Sequence, residues 1–313
     1  MNVYPYKMAP IFKEKIWGGR TLERLFDKPL PAGKPIGESW ELADLSAGRS
    51  TIANGSHQGR TIRQILMRER EAVLGSTPLT DGQFPLLLKL LDARQNLGVQ
   101  VHPDAEAVKA IPDAALKTEC WYVLASDGGT IYKGVRPGVT AADFRAALDA
   151  GNVAELLVPF EAVVGDFHYL PAGTAHALGA GVVVAEIQTP SDTTYRVFDW
   201  NRGREIHIER AMQCIHFAPP SPTVPGQGGE CLLQTEYFQV YLRRTAPGVR
   251  KLTEGRCVAW MILSGRGRVR ADGSDGTVDF APGYTLLLAA ALTGLSVHVA
   301  EPAQWLEVLL PPF

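Results

Sequence analysis

The chain has 313 residues, 46% of them hydrophobic and 20% charged, with 31 Lys+Arg against 33 Asp+Glu. That composition supports a buried core and excludes a disordered tail, and a net charge of −2 gives no electrostatic drive toward nucleic acid or an anionic membrane. No apolar run reaches the roughly 18–20 residues of a membrane helix. The opening Met1-Asn2-Val3-Tyr4-Pro5 lacks the apolar core of a secretion signal. The cysteines at 120, 214, 231 and 257 form no Cys-x-x-Cys pair, which argues against a zinc ribbon or disulfide scaffold and suits a reducing cytoplasm.

In chain order, Trp17-Gly18-Gly19-Arg20 reads as a turn before a helix over Thr21–Phe26 rather than as a phosphate loop. Thr61 is a helix N-cap, with Ile62, Ile65 and Leu66 on one face and Gly75 beyond the end. Strands are expected at 84–91, 121–124 and 182–187, and Thr140 with Asp143 forms a capping box ahead of Phe144 and Leu148. Residues 218–229 hold four prolines and three glycines and can build neither helix nor strand interior, so they read as a linker. Further strands follow at 258–263, 284–288 and 305–310.

An internal echo supports two units. Gly165, five residues, Pro171, Gly173 and His176 are matched in outline by Gly276, five residues and Pro282-Gly283. Each reads as a strand, a Pro-Gly corner and a returning strand, the corner a jelly roll needs. The expected fold is mainly β: two tandem barrels with a few short helices. Residues 1–217 form the first unit, 218–229 the linker and 230–313 the second.

The first unit carries a candidate metal site. Gln100 and His102 lie two apart in an extended run and share a face, Glu119 heads the run Glu119-Cys120-Trp121-Tyr122, and His176 follows the corner. Two imidazoles, a carboxylate and an amide oxygen suit Zn²⁺, and also Fe²⁺, Mn²⁺ or Co²⁺. His57, His168, His207, His216 and His298 read as structural or surface residues. No nucleotide-binding glycine motif is present.

The Gly-x5-Pro-x-Gly-x-x-His run resembles the second signature of the cupin superfamily. The phrases at 84–93, 99–104, 117–122 and 173–177, with those at 15–20 and 37–41, are similar to the short bacterial branch of type I mannose-6-phosphate isomerase. The resemblance covers most of residues 10–205. It implies zinc ligands at Gln100, His102, Glu119 and His176, an active-site arginine at Arg196, an aspartate at Asp192 and lysines at Lys117 and Lys89. Thr118 stands where many relatives have proline, and there is little room for the helical insertion of the longer ones.

The activity so implied interconverts D-mannose 6-phosphate and D-fructose 6-phosphate through an enediol(ate). That chemistry needs a base, an electrophile and a phosphate anchor. Asp192 is the candidate proton-transfer group, with Lys117 as the alternative; Arg196, Lys117 and Lys89 are the substrate contacts. The expected partner is a small sugar phosphate, with no nucleic acid and no membrane, and the chain a monomer or small homo-oligomer. An Fe(II) cupin oxygenase and a non-catalytic sugar-sensing cupin are the other readings. In the second unit, Leu287 occupies the position equivalent to His176, from which a dry, side-chain-filled barrel without metal is expected.

Overall fold

Short apolar runs punctuated by Gly and Pro become antiparallel strands. The computed structural model, which describes residues 3–224, 230–273 and 276–312, is mainly β with five α-helices among the described residues. A seven-stranded sheet orders Thr223–Val224, Phe167–Leu170, Glu119–Ser126, Val182–Gln188, Leu87–Ala93, Ile11–Gly19 and Ile36–Leu42. A five-stranded sheet orders Leu157–Glu161, Thr130–Val135, His176–Leu178, Val99–Val101 and Tyr195–Phe198. Trp121, Val123, Leu170 and Val184 of the first share a core with Ile131 and Leu178 of the second.

The strand Val182–Gln188 explains why its sequence is almost continuously apolar. Val182 and Val184 enter the core between these two sheets, whereas Val183, Ala185 and Ile187 face a larger core shared with the C-terminal half. A strand buried on both faces loses the polar alternation of a one-sided strand.

The C-terminal half repeats the layering. Its larger sheet orders Cys231–Gln234, Gln239–Thr245, Ala303–Leu309, Val258–Ser264, Thr285–Leu288, Tyr6–Ala9 and Thr51–Ile52. A four-stranded sheet of Gly248–Lys251, Ser296–Val299, Gly267–Arg270 and Thr277–Phe280 makes the other layer. Two of the seven strands therefore come from the start of the chain, with Tyr6 opposite Leu287 and Lys7 opposite Leu286. Near the expected linker, Thr223 and Val224 pair as an edge strand with His168 and Phe167, while residues 225–229 lie outside the described residues.

The expectation for Leu287 needs correction. Leu286 pairs with Trp260 and Leu288 with Val258, so those leucines share the inner face of the C-terminal sandwich. Leu287 pairs with Ala259 and points to the opposite face, against the rest of the protein. The strand register differs by one residue from the count after the corner proline, and one residue reverses the side of a strand. A cavity of about 570 Å³ opens at the mouth of this sandwich, lined by Trp260, Trp305 and Glu307 among others.

A buried ion pair ties the halves together. The Lys28 ammonium donates to both Glu41 carboxylate oxygens, at 2.7 and 2.8 Å, and to the Gly283 carbonyl at 2.7 Å. The Ser39 hydroxyl donates to the same carboxylate at 2.6 Å. Removing one partner of such a pair costs about 3–5 kcal/mol because the other stays buried with its charge. Lys28→Met is expected to lower the unfolding free energy by about that much in urea titration. A loss under about 1 kcal/mol would show that Glu41 needs no partner there.

Candidate metal centre and active site

Gln100 sits mid-strand in Val99–Val101, and His102 follows on the same side. Glu119 is the first residue of Glu119–Ser126, and His176 the first of His176–Leu178, opposite Gln100. The corner delivering His176 depends on Gly173, which has φ +86° and where a Cβ would lie 2.5 Å from the His216 ring. No other residue fits both restraints.

His102, Glu119 and His176 are all buried, with ligand atoms within 4.8 Å of one another. The His102 Nδ1–H donates to the Thr193 carbonyl at 3.0 Å and the His176 Nδ1–H to the Thr174 carbonyl at 2.8 Å. A carbonyl only accepts, so both rings hold their proton on Nδ1 and turn the Nε2 lone pair inward. Those lone pairs face Glu119 oxygens at 3.3 Å (His102) and 3.2 Å (His176), and neither carboxylate oxygen accepts a well-formed hydrogen bond. Two imidazole lone pairs and a carboxylate that turn toward one another with no N–H of either ring between them make a donor set a divalent cation satisfies. The positive charge nearby is the Lys117 ammonium, 2.8 Å from Glu119 and 3.0 Å from His102 Nε2.

The electrostatics follow from this clustering. Burial first, then the Lys117 charge, pushes the His102 imidazole down to about 3, so it is a neutral donor at working pH. Burial acts to raise the Glu119 carboxyl, but the Lys117 ammonium leads the opposing effects, which hold the group well below the usual carboxylate range. Gln100 points its amide nitrogen at His176 Nε2, 3.2 Å away, and a half-turn of the amide puts its oxygen there instead.

A cavity of about 420 Å³ beside this cluster collects the other expected residues: Lys89, Gln100, Lys117, Asp192 and Arg196 all line it. Arg196 lies beside Gly98, where a Cβ would approach its Cδ to 2.8 Å, and its Nη1 donates to the Glu205 carbonyl at 2.7 Å. Asp192 is exposed at the cavity wall, and Lys89 and Lys117 are buried.

Sequence reasoning missed Glu186, Glu38, Lys13, Lys15, Trp40 and Arg204, which line the same space. Glu186 pairs across strands with Lys89, their charged atoms 2.9 Å apart, and accepts from Trp121 Nε1 at 3.1 Å. A signal was present: Lys89 and Glu186 are the charges interrupting runs of otherwise apolar core residues. Buried charges of that kind are paired or functional.

Glu38 gives a pH handle. Its burial works to raise the carboxyl, but the ammoniums of Lys89 and Lys15 win and bring it from the usual 4.5 to about 2. A carboxyl held low in the folded state stabilises the fold above its unfolded value, and that stabilisation is lost as pH falls through the window from 4.5 toward 2. Glu38→Gln should flatten the fall of melting temperature across this window. An unchanged acid limb would assign it to other groups.

His168, His216 and the Gly-Gly-Arg turn have partners within the fold. His168 is buried with Nδ1 3.3 Å from the Thr223 hydroxyl, and burial together with the Lys133 charge pushes it down to about 4. His216 Nε2 lies 2.8 Å from Asp104. A groove of about 1170 Å³ runs past Gly18, Gly19 and Arg20, away from the ligand cluster. There the Asp92 carboxylate already accepts from the Thr21 and Leu22 amides at the helix start, the place a phosphate would need.

Comparison with known proteins agrees with this geometry. The family model "Phosphomannose isomerase type I, catalytic domain" matches residues 6–125. A mannose-6-phosphate isomerase of Streptococcus mutans is 33% identical over 268 residues, covering 82% of this chain and 84% of its own. The mannose-6-phosphate isomerase ManA of Bacillus subtilis is 36% identical over 250 residues, covering 76% and 77%. The crystal structure of a mannose 6-phosphate isomerase from Bacillus subtilis has a TM-score of 0.85 at 29% identity, covering 98% of this chain and all of its own. Similarity that spans both halves and includes the strands bearing the ligand cluster has one consequence: the chain belongs to the type I phosphomannose isomerase family.

Proposed function

We propose that the chain is a zinc-dependent isomerase that interconverts D-mannose 6-phosphate and D-fructose 6-phosphate. The observation that carries this reading is the buried His102, Glu119 and His176 set beside a cavity lined by Lys89, Lys117, Asp192 and Arg196. In this proposal Gln100, His102, Glu119 and His176 hold the ion, whose chemistry is to polarise sugar oxygens as a Lewis acid.

The other steps belong to side chains. Asp192, a carboxylate facing the cavity, takes the proton from C2 of the aldose. The C–H electrons form the C1–C2 double bond as the carbonyl oxygen gains negative charge. The same carboxyl returns the proton to C1 to give the ketose, while a proton moves from O2 to O1. Lys117, an ammonium already paired with Glu119, suits hydrogen-bond donation to the developing oxyanion better than proton abstraction. Arg196 offers a planar fork to the phosphate or the oxyanion. Lys89 is held by Glu186 and adds positive charge to the wall.

Residues 1–217 carry the chemistry in this reading, and 230–313 cover and support them. The free Cys120, Cys214, Cys231 and Cys257 suit a cytoplasmic setting, and no helix among the described residues is long and apolar enough to cross a membrane. A coupled assay following fructose 6-phosphate formed from mannose 6-phosphate as NADPH tests the reading. Turnover that disappears on chelation and returns with Zn²⁺ supports it. A metal-loaded chain without turnover would favour a sugar sensor, and oxygen uptake with Fe²⁺ an oxygenase. Asp192→Asn should lower kcat by about 100-fold with little change in KM, the signature of lost proton transfer. Unchanged kcat would move the base to Lys117.

A further inference from the structure

The cavity at the mouth of the C-terminal sandwich has the make-up of a ligand site, although it shares no residue with the metal centre. It measures about 570 Å³, within the range of small-molecule pockets. Its floor holds Trp260 and Trp305, whose rings lie 4.6 Å apart. Both are almost wholly buried. The Trp260 Nε1–H donates to Glu307 Oε2 at 3.1 Å, and the other oxygen of Glu307 accepts from Arg243 at 2.9 and 2.8 Å. The Trp305 Nε1–H, in contrast, is buried with no hydrogen-bond partner. An unmet buried donor costs about 1–3 kcal/mol, so a hydrogen-bond acceptor brought to Trp305 Nε1 would recover that cost.

The polar groups specify what could bring it. Trp305 offers a donor, Glu307 an acceptor and Arg243 further donors, a mixture matched to neutral hydroxyls. The carboxylate of Glu307 repels a bare anion from the floor. The mouth is different: Lys251 and Arg256 line it, are exposed and form no ion pair among the described residues. A molecule with a hydroxyl-bearing end for the indoles and an anionic end for the cations satisfies both levels. A nucleobase would need an open aromatic face, which the mutual packing of the two indoles reduces.

We propose that the C-terminal cavity is a second binding site, separate from the catalytic one, for a phosphorylated monosaccharide. Its hydroxyls meet Trp305, Glu307 and Arg243, and its phosphate meets Lys251 and Arg256. The site stands whether or not the isomerase reading does, because none of its residues takes part in that chemistry.

The test is equilibrium dialysis of the full, metal-loaded chain against radiolabelled fructose 6-phosphate, which counts bound hexose phosphate whichever isomer is present. Two molecules per chain are expected. The double variant K251E/R256E, altered only at exposed positions, should weaken one site at least ~10-fold and leave kcat/KM at low substrate unchanged. Trp305→Phe, which keeps the ring and removes the donor, should weaken the same site. Arg196→Ala should remove the other one alone. A single site abolished by Arg196→Ala and indifferent to K251E/R256E would overturn the proposal while sparing the isomerase reading. A single site abolished by K251E/R256E and indifferent to Arg196→Ala would uphold it while undermining that reading. Equal competition by inorganic phosphate, or tighter binding of AMP at this site, would overturn the assigned ligand class.

Discussion

Replacing Glu119 with Gln is expected to abolish turnover, by at least about 1000-fold, and to strip the chain of its divalent ion. A lost Lewis acid is worth several kcal/mol of transition-state stabilisation, and each 1.36 kcal/mol is about tenfold in rate. Glu119 is the one carboxylate in the cluster, with both His102 and His176 lone pairs facing it. Gln keeps the shape and removes the charge, so the loss cannot come from a cavity. His102→Ala and His176→Ala should do the same. The readouts are metal content by mass spectrometry together with the coupled assay. Full activity in a variant that retains no ion would refute the metal-centred mechanism. Glu119→Gln should also lower the stability of the metal-free chain, because Lys117 would remain buried beside a neutral amide.

Arg196→Ala is expected to lower kcat/KM by at least about 100-fold, in line with removal of one preorganised oxyanion contact. The guanidinium borders the cavity beside Gln100, its paired residue across the strands. Burial and the charges of Arg204 and Arg202 lower the guanidinium pKa from its ordinary value, against the opposing effect of Asp199. The kinetic split assigns the role. A rise in KM alone marks a phosphate anchor, and a fall in kcat marks contact with the reacting oxygens. Near-native kinetics would take Arg196 out of the reaction and leave Lys117 and Lys89 as the cations. Circular dichroism should report an unchanged fold, since the side chain's polar contacts are with carbonyl oxygen and solvent rather than the core.

What was legible in the sequence was local. Thr61 announces its helix as an N-cap and Thr140 as a capping box because such signals are written within four consecutive residues; both form, and Gln64 completes a box at Thr61 as Asp143 does at Thr140. Gln100 and His102 fall on one face because strand side chains alternate, and a Pro-x-Gly corner fixes where His176 arrives. What was not legible depends on register between distant strands. Glu186 meets Lys89 only because Val182–Gln188 and Leu87–Ala93 align at that pair. Leu287 faces away from the C-terminal interior for the same reason. Lys13, Lys15 and Trp40 reach the cavity from a hairpin whose position no short motif encodes.

The pairing of Tyr6–Ala9 with Thr285–Leu288 has a consequence for how the protein is made. Within this chain Tyr6–Ala9 can meet Thr51–Ile52 early, but its other neighbour, Thr285–Leu288, exists only after about 280 more residues have been synthesised. At roughly 5–20 residues per second this is a delay of about 15–55 seconds. During that interval Tyr4, Tyr6 and Met8, all buried at the end, have no C-terminal sheet to cover them. Contacts so far apart in the chain also slow closure once synthesis is complete. Chains terminated before residue 285 would keep every candidate metal ligand yet leave one edge of Tyr6–Ala9 open and the aromatic side chains around it uncovered, so such products should be captured by chaperones or aggregate rather than persist as active fragments.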